Sequence, residues 1–209
     1  MTSTPATTVH MAVYDTFADW EVGFATAHIN NGAWQRHAGS HRVVTVGESH
    51  EPVTSMGGMR VIPDVTLDEL RPADSAMLML PGADTWLTGG NKAFAAKARE
   101  FLDAGVPVAA ICGATLGLAV EGLLDERDHT SNAAVVLEAS GYGGASRYRD
   151  EPAVTDGQVV TASATAPVEF AREVMALLDL YEPAVLASWY KLYGQHDPAG
   201  YFELMAVEA

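Results

Sequence analysis

The sequence predicts an α/β fold built on a mainly parallel sheet with helices on both faces. Short apolar runs of strand length alternate along the chain with segments of helical composition. This alternation is typical of parallel sheets, in which crossover helices join the strands. The chain of 209 residues is long enough to bury one large core, and it shows no repeat, low-complexity tract or linker. We therefore expect a single domain over residues 1–209.

In the first half of the chain, the pattern predicts three buried strands with a helix and a hairpin between them. Asp19 is placed to cap the first helix, and the Asn31-Gly32 pair is placed to end it. The predicted elements are a strand over 9–14, a helix over 20–30, a strand over 42–47, a hairpin or extra strand pair over 52–60, a helical turn over 66–70 and a strand over 76–80.

The second half predicts two further strands, one short strand and several helices. These are a helix over 91–104, a strand over 106–111, a helix over 114–124, a short strand over 129–131, a helix over 132–140, a loop over 141–144, a strand over 158–161 and helices over 167–180 and 183–193. Residues 194–209 carry no clear pattern. Ligands of such sheets bind outside the carboxyl ends of the strands, so the loops after Tyr14, Leu80 and Ile111 are expected to form the site.

Composition excludes several classes of partner. Twelve Lys and Arg residues against 27 Asp and Glu residues give a net charge of −15 with His neutral, which argues against nucleic acids and anionic membranes. The chain has no apolar run of transmembrane length and no visible signal peptide. One cysteine cannot form an intrachain disulfide, so no oxidising compartment is implied. We expect a cytoplasmic protein that acts on a small molecule.

The single cysteine, Cys112, lies where an apolar strand meets a helix, in the segment V-P-V-A-A-I-C-G-A-T. Ala110 and Ala114 flank it two residues away on either side, which is the arrangement of a nucleophile elbow. The amino end of a helix favours the thiolate, and a thiol so placed can have its pKa lowered from ~8.5 into the range ~3.5–7.5. The alternative is an inert core cysteine. The position favours a nucleophile.

Two other segments lie at or after the carboxyl ends of predicted strands, and both carry candidate site residues. In L-P-G-A-D, the N–H groups of Gly82 and Ala83 are candidates for an oxyanion site, although the segment is also an ordinary strand-ending turn. In F-A-D-W-E, either Asp19 or Glu21 is a candidate to face the sulfur as proton donor or acceptor. The helix dipole alone would also explain two acids at a helix start.

These segments, in this order, resemble the ThiJ/PfpI family, also called the DJ-one/PfpI superfamily, which has the class I glutamine amidotransferase-like fold. The matching segments are A-V-Y-D-T-F-A-D-W-E, M-L-M-L-P-G-A-D, V-A-A-I-C-G-A-T, G-L-L-D-E-R-D-H-T-S-N and V-V-T-A-S-A-T-A-P-V-E-F-A. The resemblance implies a flavodoxin-like three-layer αβα sandwich, often dimeric. It implies that Cys112 is the elbow cysteine and Glu21 the acid that hydrogen-bonds it. Gly82 and Ala83, joined by the Gly113 N–H, would hold the oxyanion.

The sequence departs from the family's pattern at its histidines. Family proteases and amidases usually have His directly after the cysteine, where this chain has Gly113. Other members have His after a short Thr-rich strand, and Asn132 matches that position. His129 lies three residues earlier, which on a strand turns it to the opposite face. Asn132 is predicted to bind substrate or a water, or alternatively to cap a helix.

No cofactor or metal is predicted. His37 and His41 form H-x-x-x-H without a helix between them, and the Gly-rich segments lack nucleotide-binding spacings. Asp19 and Trp86 are candidates to line the substrate pocket, although Trp86, like Tyr142 and Tyr148, is equally suited to core or dimer contacts. The apolar segment 185–193 suits core packing first and a dimer interface second. With the resemblance, it favours a homodimer.

The function expected from these observations is that of a cysteine-dependent ThiJ/PfpI-type enzyme acting on a small carbonyl or amide substrate. Cys112, Glu21 and Asn132 would be its catalytic residues. Both an amidase or hydrolase and a glyoxalase- or deglycase-like activity remain open. The alternative is a non-catalytic redox-sensing or stress-response protein in which Cys112 is oxidised.

Overall fold

The structure, a computed structural model, describes residues 7–207, and it contains both strands and helices in each half of the chain. The strands are β1 (Thr7–Ala12), β2 (His41–Gly47), β3 (Val53–Thr54), β4 (Arg60–Val61), β5 (Val65–Thr66), β6 (Met77–Leu80), β7 (Val108–Ile111), β8 (Ala153–Asp156) and β9 (Val159–Ala162). The helices are α1 (Asp19–Asn30), α2 (Asp84–Leu87), α3 (Lys92–Asp103), α4 (Gly113–Val120), α5 (Ala134–Glu138), α6 (Pro167–Leu177), α7 (Pro183–Tyr193) and α8 (Ala199–Val207). Residues 1–6 and 208–209 lie outside the described range, and so do the sequence-based expectations for them.

Seven strands form the central sheet in the order β5-β2-β1-β6-β7-β9-β8. Every neighbouring pair is parallel except β8 and β9, which are antiparallel. The remaining two strands, β3 and β4, form a separate antiparallel hairpin. The predicted α/β class with a mainly parallel sheet is confirmed.

Two layers of helices cover the sheet and complete a three-layer sandwich. One layer contains α1, α6, α7 and α8, and the other contains α2, α3, α4 and α5. Because both faces are covered, the central strands are buried throughout: every residue of β6, β7 and β9 is buried. This is why these strands read in the sequence as continuous apolar runs rather than alternating ones.

Some elements differ from the sequence-based expectations. β8 was not predicted, although the Asp156-Gly157 turn that joins it to β9 is a hairpin signal. α8 was also missed, because its nine residues are apolar on nearly every side and show no helical stripe. The segment 129–131 forms no strand beyond an isolated bridge between His129 and Tyr148.

The topology explains where the site forms. From β1 the chain moves to β2 on one side and later to β6 and β7 on the other, so the strand order switches between β1 and β6. A crevice forms at such a switch, outside the carboxyl ends of the strands. Glu21 follows β1, Gly82 follows β6 and Cys112 follows β7.

Candidate active site

Cys112 occupies the one-residue junction between β7 and α4, in a strained backbone conformation. Its φ of 59° and ψ of −129° are unusual for a residue with a side chain, and such a conformation costs on the order of 1–3 kcal/mol. Hydrogen bonds hold it on both sides: the Cys112 N–H donates to the Ala162 carbonyl at 2.9 Å, and Thr115 Oγ1 donates to the Cys112 carbonyl at 2.6 Å. The half-buried thiol thus stands at the apex of a sharp strand-to-helix turn, as the sequence predicted.

Gly82 lies against the side chains of Cys112 and Glu21, and the space between them does not admit a side chain at position 82. A Cβ atom there would be 2.7 Å from Cys112 Cβ, 2.8 Å from Cys112 Sγ and 2.9 Å from Glu21 Oε2. Real Cβ atoms do not approach other atoms so closely, because of steric repulsion. The turn after β6 therefore needs glycine in order to bring Cys112 and Glu21 together.

Glu21 is fully buried, and its carboxyl group is held by the same turn. The Gly82 N–H donates to Glu21 Oε2 at 2.6 Å. Glu21 Oε1 is buried and has no nitrogen or oxygen partner among residues 7–207. The sequence predicted that the Gly82 N–H faces a substrate oxygen, whereas here it binds Glu21. Among residues 7–207 the Ala83 N–H has no acceptor, and the Gly113 N–H faces the Cys112 sulfur.

One peptide unit connects this arrangement to the fold. The Pro81 carbonyl, which belongs to the same peptide as the Gly82 N–H, accepts hydrogen bonds from the Tyr14 hydroxyl and from Trp86 Nε1, the latter at 3.1 Å. Trp86 Nε1 also lies 3.0 Å from the Tyr14 hydroxyl. Both ends of the peptide are therefore held, which fixes the direction of the Gly82 N–H. Sequence analysis missed Tyr14, because nothing local links it to a residue 67 positions away.

Asn132 contacts the sulfur directly. Its Nδ2 donates to Cys112 Sγ at 3.2 Å, while its Oδ1 accepts the Ala164 N–H at 2.9 Å. The bond from Ala164 fixes the orientation of the amide, so a donor faces the sulfur. The alternative role of helix cap is wrong, since α5 begins two residues later with Ala133 as its cap residue.

Burial governs the protonation of Cys112 and Glu21. Burial first, and the negative charge of Glu21 second, raise the pKa of the Cys112 thiol to about 11, although hydrogen bonds from the Asn132 amide and the Gly113 N–H act in the opposite direction. Burial also raises the pKa of Glu21, against the hydrogen bond from Gly82. The low thiol pKa expected from the helix terminus is therefore not found. Since each negative charge disfavours the other, the pair retains one proton at neutral pH.

The other predicted pocket residues make structural contacts. Asp19 is the first residue of α1, not its cap, and its Oδ2 accepts the Gly57 N–H at 3.0 Å and a bond from the Ser55 hydroxyl, which ties the β3–β4 hairpin to α1. Trp86 is 4% exposed. Their contribution to substrate binding stays a prediction.

His129, the histidine nearest in sequence to Asn132, forms hydrogen bonds with residues other than Cys112. His129 is fully buried, and its ring nitrogens bond the Arg127 carbonyl at 2.7 Å and the Tyr142 hydroxyl at 2.9 Å. Tyr148 packs edge-on against the same ring. His129 and the two partly buried tyrosines thus form one cluster, and the imidazole has no nitrogen left for Cys112.

Residues 7–207 contain no group of three His, Cys, Asp or Glu side chains placed to hold a metal ion. None of their helices has the length and apolar character needed to cross a bilayer.

Sequence comparison finds relatives over most of the chain. A family model described as the DJ-1/PfpI family matches residues 7–177. A Bacillus subtilis (strain 168) protein named "Uncharacterized protease YoaZ" is 42% identical over 200 residues, which are 94% of this chain and 95% of that protein. An Escherichia coli (strain K12) protein named "Protein/nucleic acid deglycase 2" is 30% identical over 148 residues, covering 68% of this chain and 84% of that protein.

Solved structures agree with the sequence comparison. A thiJ/pfpI family protein from Bacillus anthracis superposes with a TM-score of 0.89 at 38% identity, covering 98% of both chains. A DJ-1 superfamily protein from Agrobacterium tumefaciens gives a TM-score of 0.80 at 36% identity, covering 91% of this chain and 99% of the other.

Proposed function

This chain belongs to the DJ-1/PfpI family, and we propose that it is a cysteine-dependent enzyme acting on a small carbonyl compound. The observation that carries the proposal is the contact of Cys112 with both Glu21 and Asn132 at a strained turn, without an imidazole. A backbone outlier that the fold holds in place is typical of a functional site.

The chemistry follows from the shared proton. Glu21 accepts the thiol proton, and the Asn132 amide stabilises the negative sulfur by its hydrogen bond. The thiolate adds to a carbonyl carbon, forming a C–S bond while the carbonyl π electrons move to oxygen. The N–H groups of Ala83 and Gly113 are the candidate donors to that oxygen, and protonated Glu21 returns the proton.

A carbonyl substrate fits this site better than a peptide. Cleavage of an amide needs a proton delivered to a poor leaving group, which a histidine beside the cysteine would provide. Asn132 has no exchangeable acid–base function, and His129 is held by Arg127 and Tyr142. One relative is named a protease and another a deglycase, and the geometry of this site favours an activity of the deglycase kind.

The test is a substrate panel with matched variants. The wild type is expected to consume methylglyoxal or glyoxal, and Cys112→Ser to lose that activity, while casein and peptide substrates are cleaved slowly or not at all. Ser140→Ala, which removes an exposed hydroxyl in the turn after α5, is the control. Peptide hydrolysis that requires Cys112, with no turnover of carbonyl compounds, would contradict the proposal.

The redox role is the second candidate, because Cys112 is half-buried, sits beside a buried acid and has no second cysteine in the chain. A protein of this kind would form sulfinate with peroxide and leave every carbonyl substrate untouched.

We also propose a cytoplasmic homodimer with one catalytic domain. A single hydrophobic core from Val9 to Leu204 supports the one domain, and exposed apolar residues on α8 support the dimer.

A further inference from the structure

A cavity of about 450 Å³ lies among α2, α3, α4 and α5, apart from the site at Cys112. Its apolar lining comes mainly from Trp86, Leu87, Leu116, Gly117, Val120 and Val136. None of Cys112, Glu21, Gly82 or Asn132 lines it. The volume lies within the range of roughly 300–1,000 Å³ that is usual for small-molecule pockets, which are mostly apolar with a few polar groups.

The wall of this cavity is preformed. The Trp86 ring lies on Gly117, where a Cβ atom would be only 2.2 Å from the ring. On its other side, Trp86 Nε1 is bound to Tyr14 and Pro81. The indole is therefore held from two directions, and a ligand would lose little free energy in ordering it.

The rim of the cavity carries one uncompensated positive charge. Glu121 also lies at the rim, but its carboxylate is 3.4 Å from Arg99 Nε and pairs with that guanidinium. Lys92 takes part in no ion pair with the residues that the structure describes. Leu87 and Val120 are 68% and 62% exposed beside it. An apolar cavity with a free ammonium at its mouth matches a ligand that is apolar at one end and anionic at the other.

We propose that this cavity binds a small amphipathic carboxylate. Its hydrocarbon part lies against Trp86, Leu116 and Val120, and its carboxylate pairs with Lys92. This site is separate from the one at Cys112, so Cys112→Ser is expected to bind the same ligand with unchanged affinity.

The experiment is calorimetric titration of the full-length protein with decanoate and, separately, with decanol. Saturable binding at one site per chain is expected for decanoate. Lys92→Gln should weaken decanoate about two- to fivefold, the range of an exposed ion pair, and leave decanol unchanged. Lys97→Gln, on the same helix but outside the cavity, should leave both affinities unchanged.

A second pair of variants tests the place of binding. Ala139 and Ala104 are both exposed residues at the ends of helices, and only Ala139 lines the cavity. Ala139→Trp should abolish decanoate binding, and Ala104→Trp should not. The proposal is overturned if decanoate does not saturate, if Ala139→Trp binds like wild type, or if Lys92→Gln and Lys97→Gln behave alike. It is equally overturned if sedimentation shows this face covered by a second copy that Ala139→Trp releases.

Discussion

The main-chain N–H of Gly82 donates to Glu21 Oε2 at 2.6 Å, so the turn after β6 holds the buried acid that lies beside Cys112. Gly82 therefore serves two purposes: it orients Glu21, and by lacking a side chain it lets Cys112 approach.

Gly82→Ala should disrupt the site more than the fold. The new methyl group would lie within 2.9 Å of Cys112 and Glu21, which must move apart. We expect carbonyl turnover to fall on the order of a hundredfold, and the free energy of unfolding in urea to fall by about 1–3 kcal/mol. Gly23→Ala in α1 is the control, because a Cβ there meets nothing within 4 Å; it should gain about 0.5–1 kcal/mol. Equal effects of the two substitutions would contradict the role of Gly82.

Asn132→Asp should raise the pKa of Cys112. Aspartate retains an oxygen for the Ala164 N–H but replaces the donor near the sulfur with a negative charge. If the pKa rises by one unit, alkylation by iodoacetamide at neutral pH slows about tenfold. Asn30→Asp is the matched control, since its Oδ1 similarly accepts a main-chain N–H, from Val43, far from the site. An unchanged pH profile of alkylation for Asn132→Asp would show that the amide does not stabilise the thiolate.

Glu21 should determine how far Cys112 is oxidised. Burial raises the pKa of Glu21 and so favours its protonated form, which can donate to a sulfinate oxygen in a bond worth on the order of 1.5–3 kcal/mol. After graded peroxide, intact-mass spectrometry should show sulfinate in the wild type, less in Glu21→Asp and least in Glu21→Leu. Equal rates and yields in all three proteins would remove Glu21 from this role. Oxidation of methionines while Cys112 stays reduced would refute the reactive thiol.

His28 should make the protein less stable in acid. Its Nε2 accepts a bond from Trp189 Nε1 at 3.0 Å, and its Nδ1 lies 2.8 Å from the Tyr181 hydroxyl. Accepting from Trp189 requires a neutral ring with the proton on Nδ1. Burial accordingly lowers the pKa of His28 from 6.5 to about 4.

Proton uptake at His28 favours the unfolded chain in acid. Between pH 6.5 and about 4, the unfolded chain binds a proton at His28 that the folded chain does not, so stability falls as the pH falls through that window and levels off below it. The loss amounts to roughly 3 kcal/mol at about 1.36 kcal/mol per pH unit. Urea unfolding of His28→Gln should show a flatter pH dependence than wild type or the exposed-loop control His37→Gln. Identical pH dependence in all three would exclude His28 as the cause.

Sedimentation should give the mass of a dimer at micromolar concentration. On α8, Tyr201, Phe202 and Met205 are exposed by 49%, 70% and 41%, which favours burial against a second copy. Phe202→Glu should produce monomers, whereas Ile62→Glu, equally apolar and 65% exposed on the hairpin, should not. A monomeric wild type, or dissociation by Ile62→Glu alone, would contradict an interface on α8.

The sequence by itself determined the fold class and the place of Cys112. Strands buried on both faces read as apolar runs, and the small residues around Cys112 are local requirements of a sharp strand-to-helix turn. α7 was predicted with the bounds that the structure has, Pro183–Tyr193, because a proline begins it and a glycine follows it. β8 and α8 escaped prediction: β8 is an edge strand with no fully buried residue and therefore no apolar run, and α8 has no continuous polar face.

Only the tertiary structure decided how the site works. The Gly82 N–H points to Glu21 because Tyr14 and Trp86, distant in sequence, hold the Pro81 carbonyl. The Asn132 amide donates to sulfur because Ala164 occupies its oxygen. The pKa of Cys112 rises because burial outweighs its hydrogen-bond donors. Orientation of a peptide, an amide or a proton depends on partners brought together by folding, so no local pattern of residue types contains it.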